Sequence, residues 1–311
     1  MYRDSIAYSD RAISIEPNNS DAWYEKALAL IKTSKYHDAL YCLEKVTAKK
    51  PQYRDALYYQ GLCQANLGKL EGAIITFDRF LKLHPNHFQC LTQKGIAQQK
   101  LGRHMDAISC FNQVLHLEPT DITALAYKGE SLMEMGQYHD ALLCYEKIFD
   151  ADRNILLKKG TLYSILGDHE KSVSCFDKIL QNDPYDITAL KNKVNSLENL
   201  GRHSASLESI AKAVVTEPSN SELLSTKAKI LQTLGRHNEA VTIFNQILAK
   251  GQEADALFHK AKSLLLMGNP SESLEALGAA IAVDSFYGHL AKKDPVFLKL
   301  ASNMCFKTLV R

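Results

Sequence analysis

The sequence predicts an all-α protein made of about eight tandem helix pairs, and three observations carry that reading. Prolines at 17, 51, 85 and 119 stand 34 residues apart, and after a gap of 65 the spacing returns between 184 and 218. Gly68, Gly102, Gly136, Gly167, Gly201, Gly235 and Gly268 climb the same ladder with one short step of 31 and a last step of 33. The 311 residues include only 8 prolines and 15 glycines, while 46% are apolar. That is too few turn formers for a turn-dense all-β chain and enough apolar mass for a sizeable core. A fixed period of this length is the signature of a repeat architecture.

Setting each proline at position 32 gives eight repeats, at 20–53, 54–87, 88–121, 122–152, 153–186, 187–220, 221–253 and 254–285. Residues 1–19 read as a half-repeat, a second helix acting as a cap without its first. Within a repeat, positions 4, 8 and 11 form one helical stripe and positions 20, 24 and 27 another. Position 8 is small in seven repeats (Ala27, Gly61, Gly95, Gly129, Gly160, Ala228, Ala261), with Val194 the exception. Position 20 is alanine or serine throughout, and position 24 is large: Leu43, Phe77, Phe111, Tyr145, Phe176, Ile210, Phe244 and Leu277. Small residues allow two helices to approach closely, and the bulky ones fill the space beside them. Glycine at position 15 suits the left-handed end of the first helix, and proline at position 32 stops the second. Asn19, Asp121, Asp186 and Asn220 then cap the helices that follow. Pro270 falls at a first helical position, where proline is tolerated. The fourth repeat lacks three residues and its proline, so its second helix or the following loop is expected to shorten. Residues 286–311 read as a C-terminal capping helix and tail.

These motifs resemble the tetratricopeptide repeat, over residues 20–285 in full and 1–19 in part. The resemblance implies antiparallel helix pairs stacked as a right-handed α-α superhelix, with first helices lining a concave groove that binds peptide or helical segments of other proteins. Position 7 departs from the family's leucine: it is Lys26, Gln60, Lys94, Lys128, Lys159, Lys193, Lys227 and Lys260. The Lys-Gly pairing at positions 7 and 8 is similar to prokaryotic, especially archaeal, multi-repeat members.

The chemistry-bearing residues follow the repeat rather than a site. Cys42, Cys110, Cys144 and Cys175 all occupy position 23, and His104, His169, His203 and His237 all occupy position 17. Equivalent positions in stacked helix pairs lie about 10 Å apart, whereas zinc needs each sulfur at about 2.3 Å. No metal or other cofactor is expected. No phosphate-binding loop, dinucleotide fingerprint, zinc-protease helix or nucleophile elbow occurs, and the repeats leave no room for a catalytic domain, so no enzyme activity is expected. The position-7 lysines are expected to lay their stems on apolar surface and reach water with their ammonium groups.

The net charge of +2 and the charge of the groove weigh against nucleic acid. The groove positions that the family implies carry five lysines against seven acids. The odd count of seven cysteines, a polar N-terminus and the lack of long apolar runs predict a cytoplasmic protein with no membrane insertion.

The family's two-carboxylate clamp for acidic C-terminal tails begins at Lys191 and Asn195, but Thr226, Asp255 and His259 do not complete it. The co-chaperone reading therefore stands as an alternative, as does an RNA-binding helical repeat. Apolar residues at positions 5, 9 and 12 are surplus to packing, and they mark a candidate groove. It comprises Tyr24, Leu28, Ile31, Tyr58, Leu62 and Ile96, continued by Glu130 and by the polar Lys191, Asn195 and Lys229. The expected partners are other proteins, with self-association an open possibility.

Overall fold

A computed structural model describes residues 2–310, whose regular structure is all helical with no β-strand among them. They group into two compact units, one up to Ala151 and one from Asp152 onward. In the first unit, α1 (Tyr2–Ile15) precedes four pairs: α2 (Ser20–Lys32) with α3 (Tyr36–Lys49), α4 (Ala56–Asn66) with α5 (Leu70–Leu83), α6 (Phe88–Lys100) with α7 (His104–Leu117), and α8 (Ile122–Glu134) with α9 (Tyr138–Glu146). The second unit holds α10 (Arg153–Ile165) with α11 (His169–Asn182), α12 (Ile187–Asn199) with α13 (His203–Thr216), α14 (Ser221–Thr233) with α15 (His237–Leu248), and α16 (Ala254–Leu266) with α17 (Pro270–Val283). It ends with α18 (Phe286–Lys293), a 3₁₀ turn (Phe297–Leu300) and α19 (Met304–Leu309). The two helices of each pair pack on one another, and the second helix also packs on the first helix of the next pair within its unit.

One socket repeats through both units. A Cβ added at Gly61, Gly95 or Gly160 would come within 2.6 Å of the Phe77, Phe111 or Phe176 ring, and one at Gly129 within 2.8 Å of Tyr145. Position 8 is thus bare because the ring at position 24 of the same repeat occupies its side-chain space, and all four rings are fully buried. The remaining repeats mostly trade volume between the two positions. Ala27 shares a core with Leu43, Ala261 with Leu277, and Val194 with Ile210. Ala228 with Phe244 is the one pairing that keeps a ring against a methyl group.

The turn at position 15 also has an exception. All seven ladder glycines have φ between 68° and 85°, and Ser34, their counterpart in the first repeat, adopts φ 57°. A side chain held there carries a cost of about 1–2 kcal/mol.

Six of the eight first helices are capped by the side chain before them, which accepts from a backbone N–H two or three residues on: Asn19, His87, Asp121, Asp152, Asp186 and Asn220. In the fourth repeat the deletion falls on the second helix, since α9 has 9 residues against 14 in α3, α5 and α7. Ile148, at position 27, stays buried although the helix has already ended. At the C-terminal end, Phe297 lies 5.3 Å from the Phe258 ring, and Ala291, Phe306 and Val310 join the core of the last pair.

The socket can be tested by overfilling it. Gly95→Val forces the Phe111 ring from its place and costs about 1–3 kcal/mol by overpacking. Adding Phe111→Ile, which copies the Val194 and Ile210 pairing, recovers part of that loss; urea unfolding of the single and double variants measures the coupling.

Asp186 is 3% exposed at its side chain, caps α12 through Ala189 N and receives Arg153 Nη2 at 3.0 Å together with Arg153 Nε. The Arg153 guanidinium, followed by the backbone N–H groups, holds its carboxyl below the ordinary carboxylate range. Its stabilisation is therefore complete above the unfolded-state pKa of about 3.9 and is lost as pH falls through the lower folded value. Asp186→Asn should cost about 1–3 kcal/mol at pH 7, with the difference from the parent shrinking in unfolding curves taken at progressively lower pH.

Candidate functional site

The first helices line one face of each unit. α4, α6 and α8 contact one another in sequence, as do α10 with α12 and α14 with α16, and the Tyr24 ring of α2 meets the Tyr59 ring of α4 at 6.1 Å. Position 9 presents a row along this face. Leu28, Leu62 and Ile96 are half-buried, with part of each apolar side chain open to solvent. Ile31 is likewise half-buried beside the first-repeat core. Glu130 continues the row and accepts from Gln99 Nε2 at 3.5 Å.

The two tyrosines sit deeper than the sequence reading expected. Tyr24 is 5% exposed and belongs to the core of the first repeat. Its ring meets Tyr53 at 5.5 Å as well as Tyr59. Burial, then the nearby Tyr59 and Asp55, pushes its phenol up to about 12, so it stays a neutral donor. Tyr58 is half-buried against Phe77, Phe80 and His87, with ring centroids at 6.3, 6.0 and 5.2 Å. Position 5 therefore takes part in packing here, because large rings from neighbouring helices close over it.

In the second unit the corresponding face is charge-balanced. Lys191 pairs with Glu222 at 2.7 Å, Lys229 with Asp255 at 2.8 Å and Lys262 with Asp294 at 2.7 Å. Each pairing reaches from one element to the next along the face. Asn195 is exposed, and its backbone carbonyl accepts from Asn199 Nδ2. A depression of about 310 Å³ includes Lys229, Gln232, His259 and Lys262. His259 is tied to Gln232 at 3.1 Å, and burial, then Lys229, pushes its pKa down, keeping it neutral.

Three of the seven position-7 lysines do not simply reach water. Lys26, Lys94 and Lys193 each hold an aspartate at position 25 of the preceding helix, namely Asp10, Asp78 and Asp177, all at 2.6 Å. The sequence did contain this signal, an aspartate sixteen residues before the lysine in all three cases. Cys42, Cys63, Cys90, Cys110, Cys144 and Cys175 are buried free thiols. Burial raises Cys42 to about 11 and both Cys63 and Cys90 to about 12, which leaves them unreactive near neutrality. The four position-17 histidines are the first residues of α7, α11, α13 and α15. Among the described residues, no group of three or more His, Cys, Asp or Glu is placed to hold a metal ion. No helix among them is long and apolar enough to cross a membrane.

The family described as "Anaphase-promoting complex, cyclosome, subunit 3" matches residues 1–79 and 32–114, and that described as "Tetratricopeptide repeat" matches 154–186. The chain carries the tetratricopeptide repeat over the residues matched, and its fold is that of tetratricopeptide-repeat proteins. Its fold is similar to a solved tetratricopeptide repeat protein from Parabacteroides merdae, at 19% identity and TM-score 0.54 over 82% of this chain and 98% of that one. It is also similar to PilW, a type IV pilus biogenesis factor, at 20% identity and TM-score 0.54 over 61% and 90% of the two chains. MamA from Desulfovibrio magneticus, residues 41 to its end, aligns at 22% identity and TM-score 0.50 over 54% and 96%. At these identities the likeness is one of fold. No curated protein matches the chain significantly by sequence.

The burial of Tyr24 changes what its substitution does. Tyr24→Ala should cost about 3 kcal/mol, the order expected for losing a buried aromatic ring, whereas Leu62→Ala at a half-buried site should cost clearly less. Paired urea midpoints of the two variants check the ranking.

Proposed function

We propose that this chain is a non-enzymatic interaction scaffold whose first-helix face binds peptide or helical segments of partner proteins. The observation that carries this reading is the position-9 row of Leu28, Leu62 and Ile96. These side chains stand one per repeat on adjoining first helices and keep apolar surface open to solvent. A stack needs no apolar residue there, since the other five repeats carry Glu130, Thr161, Asn195, Lys229 and Lys262 at that position, although Leu28 and Ile96 each also touch the core of their repeat. A row at regular spacing suits an extended or helical segment that places one apolar side chain against each repeat. Glu130 at the same position would select a polar or basic residue at one end of that segment. The pairings of Lys191 and Lys229 with neighbouring acids weaken the case for an acidic-tail ligand, since a carboxylate has to compete with Glu222 and Asp255.

Leu62→Lys with Ile96→Lys should keep the fold and abolish capture of partner proteins from the native cell extract. Ser174→Lys, exposed on α11, should leave capture intact. Undiminished capture by the double variant with an unchanged melting temperature rejects the groove.

A further inference from the structure

Every first helix but one begins at position 1 of its repeat. The exception is α4, which begins two residues late at Ala56. The residue in its capping place is Tyr53, which has no short acceptor to offer the helix. Glu253 also makes no cap bond, yet α16 starts in register because Glu253 keeps the extended backbone of an N-cap, with φ −101° and ψ 116°. At the second repeat the chain instead turns through Arg54 at φ 40°, a left-handed conformation that arginine rarely adopts. A residue held in such a region persists only where its surroundings over-determine it, and these outliers cluster at binding sites and switches.

That turn sends the Arg54 side chain back onto the preceding repeat. Its Nη2 lies 3.1 Å from Asp21 Oδ1 and its Nη1 3.2 Å from Glu25 Oε1. Its Cζ stands 5.3 Å from the centre of the Tyr24 ring and 5.2 Å from that of Tyr53. The Tyr53 hydroxyl donates to Asp21 and thereby orients both the ring and the carboxylate. Two rings and two carboxylates thus enclose one guanidinium, the combination that suits arginine through stacking and charge-assisted hydrogen bonds together. The box is built from positions 2, 5 and 6 of the first repeat, on the same face as the row of Leu28, Leu62 and Ile96. A depression of about 480 Å³ bounded by Pro51, Gln52, Tyr53 and Arg54 opens beside it. Arg54 is 52% exposed at its side chain, so the guanidinium seals the box only in part.

We propose that Asp21, Glu25, Tyr24 and Tyr53 form a subsite for an arginine side chain of the bound segment, and that Arg54 is a resident stand-in which the ligand displaces. The inference rests on the groove reading and deepens it by naming one side chain of the partner. Release of Arg54 relieves its left-handed backbone, which offsets part of the free energy needed to break its ion pairs and lift it from the rings. The departure leaves two carboxylates facing two tyrosine rings, with Lys50 Nζ 5.4 Å from the centre of the Tyr53 ring and the Tyr24 side open to a cation.

The probe is an acetylated, amidated Gly-Arg-Gly peptide followed by NMR titration, with a citrulline version as the uncharged control. Removing a resident competitor raises apparent affinity by the inverse of the open fraction. Arg54→Gly, whose residue accepts φ 40°, should therefore bind the arginine peptide about tenfold more tightly than the parent. Arg54→Asn, which also tolerates that backbone, should do the same if the glycine variant proves unstable. Citrulline should not bind, and adding Asp21→Asn with Glu25→Gln should remove the gain. Equal affinity of parent and Arg54 variants, equal binding of citrulline, or a gain that survives loss of both carboxylates overturns the proposal. Leu62→Lys with Ile96→Lys should leave arginine binding by Arg54→Gly intact. A groove that fails and a box that fails are thereby told apart: partner capture reads the first, and the arginine titration reads the second.

Discussion

The structure depends on the contact between position 24 and position 8 of each repeat. A ring fills the space that a side chain on the facing helix would need, and the two helices approach as far as that ring allows. Where the ring shrinks to leucine or isoleucine, position 8 regains a methyl group or a valine. The total volume at the crossing stays within narrow bounds, as close packing requires. This explains how eight repeats of differing sequence keep one geometry. The helix pair tolerates exchange between its two sides far better than a change of their sum, since cores accept volume-conserving swaps and resist overpacking.

A second constraint acts at the entry to each first helix. Its leading N–H groups need an acceptor, and Asn, Asp or His just before the helix supplies one in six repeats. The Tyr53 ring instead packs against Tyr24, and its hydroxyl goes to Asp21. The helix loses its first two residues, and the freed segment carries Arg54 onto the first-helix face of the preceding repeat. One substitution at a capping position thus converts a structural joint into a polar and aromatic cluster. Local consistency between sequence and fold breaks at this point, which is where a functional feature is most readily sought.

Much of the fold was legible in the sequence because its signals are periodic. Proline, glycine and the small and large positions recur often enough that single departures do not hide the register. Even the deletion in the fourth repeat could be placed, although the helix gave up five residues where the spacing suggested less than a turn. The face was less legible. Tyr24 lies outside the packing stripes of an average repeat, but its burial depends on Tyr53 and Tyr59 at and beyond the next joint, and periodicity within one repeat cannot register that. Lys26, Lys94 and Lys193 looked solvated because their aspartates lie one helix earlier, sixteen residues away. Arg54 carried no signal, since the missing cap at Tyr53 acquires meaning only once its neighbours are located in space.

The two units differ in what their first-helix faces can do, and the difference follows from charge placement. In the second unit position 9 carries Thr161, Asn195, Lys229 and Lys262, and both lysines are already paired with acids. An exposed pair such as Lys229 with Asp255 contributes about 0–1 kcal/mol, so it is easily opened but offers a ligand little beyond exchange of one carboxylate for another, and Lys262 is held more deeply by a largely buried Asp294. In the first unit, Leu28, Leu62 and Ile96 leave apolar area in contact with water, and covering it yields about 25 cal/mol per Å². On the proposed reading, binding free energy would come chiefly from the first unit. A segment seated there would draw affinity from apolar contacts over residues 28–96 and direction from the two polar ends of the row, the acidic box beside Tyr24 and the carboxylate of Glu130.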